Sequence, residues 1–280
     1  MTTTITGKDC EVEFGPGLPT VIIGERINPT GRKMLAEELK EGKLNIVEED
    51  AKKQAEAGAD IIDINVGAAG VDEEEVLPRA IKKVIEVTAK PICIDSANPK
   101  AIKKALEVYP YKALINSVNG EERSLEKILP LVKESKNAVV CLTMDEKGIP
   151  NSVEGRFNIA KRIIQRAESL GIPRDDIVID CLAMAAATDS NSVKITLETL
   201  RRVTEEFGVS TTIGASNISF GMPNRPLLNI HFLSMAILYG LSAPIVDPLT
   251  SGLIEAIRAS DFLAGRDPYG MNYISMYRKK

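Results

Sequence analysis

An excess of one charge sign, a long apolar run and a paired cysteine motif are all missing from this sequence. Its 280 residues carry a formal charge of −4 with the signs interspersed. No basic stripe is therefore offered to a nucleic-acid backbone or an anionic membrane. The most apolar helical stretch, LLNIHFLSMAILYG, contains Asn229, His231 and Tyr239 and is too short and too polar to cross a bilayer. The start, MTTTITGKDCEVEFG, has no apolar segment of the kind a secretory signal needs. These absences predict a cytoplasmic protein that meets no nucleic acid and no membrane, and whose counterpart is a small molecule or another protein.

Cys10, Cys93, Cys141 and Cys181 form no C-x-x-C pair, and three of them lie inside apolar, strand-like runs. They read as small buried hydrophobes in a reducing compartment rather than as metal or redox ligands. Low-complexity tracts and linkers are absent too. The one shift in composition is a Thr/Gly/Pro-rich start through Pro19, which predicts an extension over residues 1–19 and a single domain over residues 20–280. With 44% hydrophobic residues that domain can bury a full core.

What is present is alternation. Short β-rich runs, TVIIGER, DIIDINVG, PICIDS, ALINSVNG, AVVCLTMDEKG, IVIDCLAM, STTIGASN and SAPIVDPL, are separated by amphipathic patterns such as DEEEVLPRAIKKVIEV and LEKILPLVKES. Eight strands and eight returns predict an α/β fold, a (β/α)8 TIM barrel. The competing doubly wound sheet would carry a G-x-G-x-x-G turn after its first strand, where this chain reads GERINPTGRK. Ahead of the barrel, TTITGKDCEVEFGPG is expected to form a short hairpin across its N-terminal end.

Barrel enzymes place their chemistry at the C-terminal ends of the strands. Those ends read Glu25 and Asn28; Asp63 and Asn65; Asp95; Asn116 and Asn119; Asp145; Asp180; Ser216 and Asn217; and Asp247. The mouth thus collects carboxylates and carboxamides and almost no His, Lys or Arg. Ionised Asp only accepts hydrogen bonds whereas Asn both donates and accepts, a combination suited to a flat heterocycle with mixed edges. Schiff-base chemistry would need a desolvated Lys, and Lys147 lies in a polar loop. No metal site is expected, because the Lys or His base for metal-assisted enolisation is missing. His231 reads as a packing or surface residue, and Arg225 as a loop residue able to meet either an anionic group or a nearby carboxylate. Asp95, at the end of a buried run, must be hydrogen-bonded by something, since an unpaired charge there would cost several kcal/mol.

Six of these segments, GERINPTG, DINVG, IDSANP, INSVNG, DEKGIP and GASNISFG, occur in order from about Val21 to Pro248, one at each strand end. Together they resemble the pterin-binding methyltransferases, which include the methyltetrahydrofolate:corrinoid protein methyltransferases of anaerobes and the folate module of cobalamin-dependent methionine synthase. The resemblance implies a TIM barrel, usually a homodimer, that binds 5-methyltetrahydrofolate in its mouth. It further implies one-carbon methyl transfer between that pterin and the Co(I) corrinoid (cobalamin) of a partner, with tetrahydrofolate as the other pterin species. Carried over by position, Asp95, Asn116 and Asp180 resemble the pterin-binding set, and Asn217 matches a mobile Asn near N5 and the transferred methyl, the catalytic position. Glu25, Asn28, Asp63, Asn65 and Asp145 are expected behind them, Asp63 and Asn65 either bracing loops or touching ligand. Dihydropteroate synthases share the fold, but RINPTGRK departs from their first motif and no strand-end Lys follows TTIGASN.

An uncharged N5 is a poor leaving group, so protonation or strong hydrogen bonding there must accompany transfer. No His and no obviously raised carboxylate is visible at the strand ends. The expectation is that Asn217, ordered water and the Asp/Asn network stabilise protonated N5, with solvent supplying the proton. Alignment of Co, CH3 and N5 would contribute the rest. The loop MDEKGIPNSVEGR reads as an ordinary solvated loop or as a docking or lid segment. No room remains after SAPIVDPLTSGLIEAIRASDFLAG for a cobalamin domain, which predicts that the corrinoid sits on a separate protein. A pterin-binding module without methyl transfer, and a dihydropteroate synthase, remain the rival readings.

Overall fold

The computed structural model describes residues 1–278, and its strands follow the apolar runs closely. Strands β1 (Thr3–Thr6) and β2 (Glu11–Phe14) pair as an antiparallel hairpin. Strands β3 (Ile23–Ile27), β4 (Ile61–Asn65), β5 (Ile92–Asp95), β6 (Leu114–Asn119), β7 (Ala138–Leu142), β8 (Ile177–Asp180), β9 (Ser210–Gly214) and β10 (Ala243–Val246) form a closed parallel barrel, with β10 pairing back onto β3. The fold is the TIM barrel expected from the sequence, a single domain with a short N-terminal hairpin.

Helices α1 (Lys33–Lys40), α2 (Asn45–Glu56), α3 (Glu73–Val87), α4 (Pro99–Val108), α5 (Glu122–Ser135), α6 (Val153–Ser169), α7 (Ser192–Phe207), α8 (Arg225–Leu238), α9 (Leu253–Leu263) and α10 (Met271–Arg278) occupy the returns and the end of the described chain. Their starts are written locally. Asp72 caps α3 by accepting from the Glu74 N–H, and Ser152 caps α6 by accepting from Gly155. Asn98 caps α4 by accepting from Lys100, with Pro99 in the first helical turn, where a missing N–H costs nothing. The segment MDEKGIPNSVEGR is therefore a shorter loop than its composition suggests, because the chain is already helical from Val153.

Period-2 alternation sorts every strand into two faces. Ile22, Ile62, Ile64, Ile92, Ile94, Ile115, Val139, Cys141, Ile177 and Ile179 pack outward in the large core shared with the helices. Ile23, Ile61, Cys93, Leu114, Val140, Val178 and Ile245 point inward and fill the lower barrel. Ile5 and Phe14 of the hairpin join that inner cluster, so the hairpin plugs the N-terminal end as expected. Its seat is fixed by the Thr3 and Ser210 hydroxyls at 2.7 Å, by Ser210 Oγ donating to the Phe14 carbonyl, and by the Thr6 N–H donating to the Lys112 carbonyl. Gly24 lets α2 come close to β3: a Cβ there would lie 2.5 Å from Gln54 Oε1, the oxygen that accepts the Arg26 N–H.

Phe14 is fully buried. Phe14→Ala is expected to cost about 3–5 kcal/mol in urea unfolding, as for other buried aromatic truncations. A loss below about 1 kcal/mol would show that the hairpin is not part of the cooperative core.

Candidate active site

The same alternation that fills the lower barrel with aliphatic side chains points Glu25, Asp63, Asp95, Asn116 and Asp180 into its upper end, two residues beyond Ile23, Ile61, Cys93, Leu114 and Val178. Strand register puts Asn65 opposite Asp95 and Asp95 opposite Asn116. Asn65 Nδ2 donates to Asp95 Oδ2 at 2.9 Å while Asn65 Oδ1 accepts the Gly67 N–H, so Asn65 braces Asp95 against its own loop. Asn116 Nδ2 reaches Asp63 Oδ1 at 3.5 Å, the outer limit of a hydrogen bond, which turns its Oδ1 away from Asp63. Beside Asp95, Ser96 Oγ donates to Glu73 Oε2 at 2.5 Å and accepts the Asn98 N–H, fixing the turn into α4.

Asp180 is held by the loop that follows it. Its Oδ1 accepts the Leu182 N–H at 2.7 Å, and Leu182 itself lies in the left-handed region at φ 55°. That conformation is costly for a branched side chain. The fully buried Arg156 clamps it, donating to the carbonyls of Cys181 and Leu182 at 2.8 and 2.7 Å. Arg156 was not singled out in the sequence, though a signal exists: it shares the apolar stripe of α6 with Ile159, Ala160, Ile163 and Ala167.

Burial dominates the electrostatics of the mouth. It raises the Asp180 carboxyl to about 7 against the opposing pull of the Leu182 N–H and the Arg156 charge. It raises Asp95 to about 6, with Asn65 opposing and the Glu73 charge assisting. Asp63, buried beside Asp95, is pushed well above the usual carboxylate range by desolvation and by that neighbour's charge. Glu25 is raised by desolvation as well. The expectation of a mouth without raised carboxylates is thus corrected, because desolvation depends on the closed barrel and not on the composition of the strand ends.

The other polar residues expected at the mouth spread around this centre. Asn217 lies on a 3-10 turn, Ala215–Ser219, directly after β9, and its side chain is exposed. Asn28 closes its own loop by accepting the Thr30 N–H. Asp247 pairs with Arg26 at 2.8 Å, and Asp50 binds both Arg26 and Arg32. Asp145 does not stand at a strand end: β7 stops at Leu142, and Asp145 closes a turn onto Lys147 and faces Arg162 at 3.3 Å. His231 is exposed on α8. Arg225 binds the turn itself, donating to the Ser216 carbonyl and to Ser219 Oγ.

A cavity of about 410 Å³ opens beside Asp95 and Asn116, and Ser96, Asn119, Arg123 and Lys127 also line it. Among the described residues, Asp95 Oδ1, Asp180 Oδ2 and Asn116 Oδ1 take no hydrogen bond from the protein. The arc from β5 to β8 therefore presents acceptors, a match for a ligand edge rich in N–H groups.

The profile of the family described as pterin binding enzymes matches residues 24–247. A methylcorrinoid:tetrahydrofolate methyltransferase of Eubacterium limosum is 33% identical over 267 residues, covering 92% of this chain and 96% of that protein. Methionine synthase of Mycobacterium leprae is 33% identical over 248 residues, or 84% of this chain, a match that spans 21% of the larger enzyme. Among solved structures, dihydropteroate synthase of Xanthomonas albilineans with 4-aminobenzoic acid superposes with a TM-score of 0.72 at 20% identity over 93% of this chain and 98% of that one. The Coxiella burnetii dihydropteroate synthase with pteroic acid gives 0.70 at 19% identity, over 94% and 99%. At these identities the structural likeness shows the fold alone. The chain belongs to the pterin-binding enzyme family.

A carboxyl raised to about 7 in the folded state and near 3.9 unfolded favours folding when protonated. Its contribution is fully present below the unfolded value and is lost as pH rises to about 7. Asp180→Asn removes that loss. The melting temperature of the unliganded variant, minus that of the wild type, should therefore increase between pH 5 and pH 8. A constant difference would contradict the assignment.

Proposed function

We propose that this enzyme moves a methyl group between N5 of 5-methyltetrahydrofolate and the Co(I) corrinoid of a separate protein, the reversible chemistry using one site in both directions. The observation that carries the reading is the acceptor arc of Asp95, Asn116 and Asp180 with the free carboxamide of Asn217 one strand further round. A reduced pterin offers the 2-amino group, N3–H and N8–H along one side, donors that such an arc can receive. Asp95 and Asp180 would be ionised in the complex, each accepting a charged hydrogen bond, and Asn116 would accept between them. Asn217 would then stand near N5 and the methyl. The near end-to-end similarity to the E. limosum methyltransferase supports this branch of the family over dihydropteroate synthase.

Transfer is a displacement at the methyl carbon by Co(I), with N5 as the leaving group. The ring fixes the pterin edge, which converts a bimolecular encounter into an oriented one. The corrinoid protein would approach over the strand-end loops, where Asn151 Nδ2 already ties the loop before α6 to Asp189 at 3.0 Å. No described helix is long and apolar enough to cross a membrane; cytoplasmic residence is part of the proposal. So is a homodimer, for which the exposed Leu227 and Leu238 of α8, Leu263 of α9 and Ile274 of α10 supply apolar surface.

Calorimetry with 5-methyltetrahydrofolate tests the site. Asp180→Asn should weaken binding by about 1.5–3 kcal/mol, the range for a hydrogen bond to a charged group, or roughly ten- to a hundredfold. Asn217→Ala should weaken binding and slow transfer, whereas His231→Ala should change little. Absence of binding to the wild type, or production of pteroate from a pterin pyrophosphate and 4-aminobenzoate, would overturn the reading. Light scattering should report twice the 30.4 kDa chain mass; a monomer would remove the dimer from the proposal.

A further inference from the structure

The turn that carries Asn217 is clamped on three sides. Ser216 Oγ donates to Glu25 Oε1 at 2.6 Å, Arg225 donates to the Ser216 carbonyl at 2.8 Å and to Ser219 Oγ at 3.0 Å, and the Ala186 N–H donates to the Ile218 carbonyl at 2.9 Å. The Asn217 side chain, by contrast, has no partner among the described residues and is exposed. A carboxamide can orient N5 and hydrogen-bond to it, but it carries no proton to give. Methyl transfer from the pterin consumes one proton, and the residue adjoining Asn217 is in direct contact with a carboxyl group.

Glu25 is partly buried in the middle of β3. Ser216 faces it from the turn, Asp247 from the end of β10, Arg225 from the start of α8 and Asp63 from β4. Arg225, the cationic group that acts on it, is engaged with the turn, and its chain neighbour Arg26 with Asp247 and Asp50. Glu25 thus has a single hydrogen-bond partner, Ser216 Oγ, and no ion pair among the described residues. Burial and the Asp247 charge favour its protonated form, with Ser216 and Arg225 opposing. Ser216 Oγ can exchange roles, donating to the carboxylate or accepting from the acid, which makes it competent to pass a proton along.

Resting on the methyl-transfer reading, we propose that Glu25 stores the proton this reaction consumes and delivers it to N5 through Ser216 Oγ. The Glu25 O–H bond breaks as Ser216 Oγ takes that proton, and Ser216 gives up its own proton to form N5–H. The N5–CH3 bond then breaks with its electron pair left on N5, while Co(I) supplies the pair that forms Co–CH3. Tetrahydrofolate keeps the proton, Glu25 is left as a carboxylate, and solvent reprotonates it. The reverse transfer runs the same relay backwards and needs Glu25 ionised. Glu25 acts through Ser216, so it is a positioning and proton-holding residue; Ser216 is the group that meets the pterin.

The test is single-turnover transfer between 5-methyltetrahydrofolate and free Co(I) cobalamin, followed from pH 5.5 to 8.5 in both directions, with calorimetric affinities for each variant. In the wild type the forward rate should fall and the reverse rate rise with pH about one shared midpoint. Glu25→Gln and Ser216→Ala should bind methyltetrahydrofolate within about threefold of wild type. Each should lose about a hundredfold in rate, the lower end of general-acid contributions, together with the shared midpoint. Glu25→Asp should restore part of the rate and the pH dependence. Wild-type rates and profiles in Glu25→Gln would overturn the relay, as would a loss of affinity equal to the loss of rate in both variants, which is the outcome of a clamp that only shapes the turn. Failure of the wild type to bind methyltetrahydrofolate would overturn the methyl-transfer reading and the relay with it.

Discussion

Closure of the barrel is the constraint on which the site depends. Eight parallel strands joined edge to edge leave one interior, and alternate side chains of every strand must enter it. In the lower part those side chains are aliphatic and the hairpin seals them with Ile5 and Phe14. One step further up, on β3, β4, β5, β6 and β8, they are Glu25, Asp63, Asp95, Asn116 and Asp180. A one-residue slip of β4, β5, β6 or β8 would replace Asp63, Asp95, Asn116 or Asp180 by an outward-facing isoleucine such as Ile62, Ile94, Ile115 or Ile179, so the same register that packs the core also assembles the ring.

That ring is expensive to keep empty. Burial opposes ionisation at Asp63, Asp95, Asp180 and Glu25, and the fully buried Arg156 is engaged by the backbone carbonyls of Cys181 and Leu182. The protein tolerates raised carboxyls and a left-handed leucine where a stability-optimised chain would place apolar residues, a trade commonly met at functional sites. A ligand whose edge supplies N–H donors would relieve much of this cost, which ties pterin affinity to the protonation of the mouth. In the proposed complex the labour would be divided: Asp95, Asn116 and Asp180 would face a donor edge, and the Glu25, Ser216 and Asn217 side of the ring the atom whose protonation changes.

The strands and their ends were legible because β-rich apolar runs that stop at polar or turn residues are local signals. The hairpin was legible through its alternation around Ile5 and Phe14. Asp145 was misplaced because Leu142 and Met144 continue an alternating pattern for two residues after the backbone has turned, the Met144 N–H already bonding to the Leu142 carbonyl. Glu25 could be named but not understood, since its partner Ser216 lies 191 residues away. Raised carboxyl groups were invisible for the same reason: desolvation is a property of the closed interior. The cavity wall at Arg123 and Lys127 was missed because both sit on the exposed side of an ordinary amphipathic helix.

Methyl transfer at this mouth is the central claim, and an anaerobic mixture of the protein with 5-methyltetrahydrofolate and free Co(I) cobalamin tests it most directly. Enzyme-dependent loss of the Co(I) spectrum with appearance of methylcobalamin is expected. Calorimetric binding of the pterin with no enzyme-dependent change in the cobalt spectrum would contradict it and leave a pterin-binding module in its place.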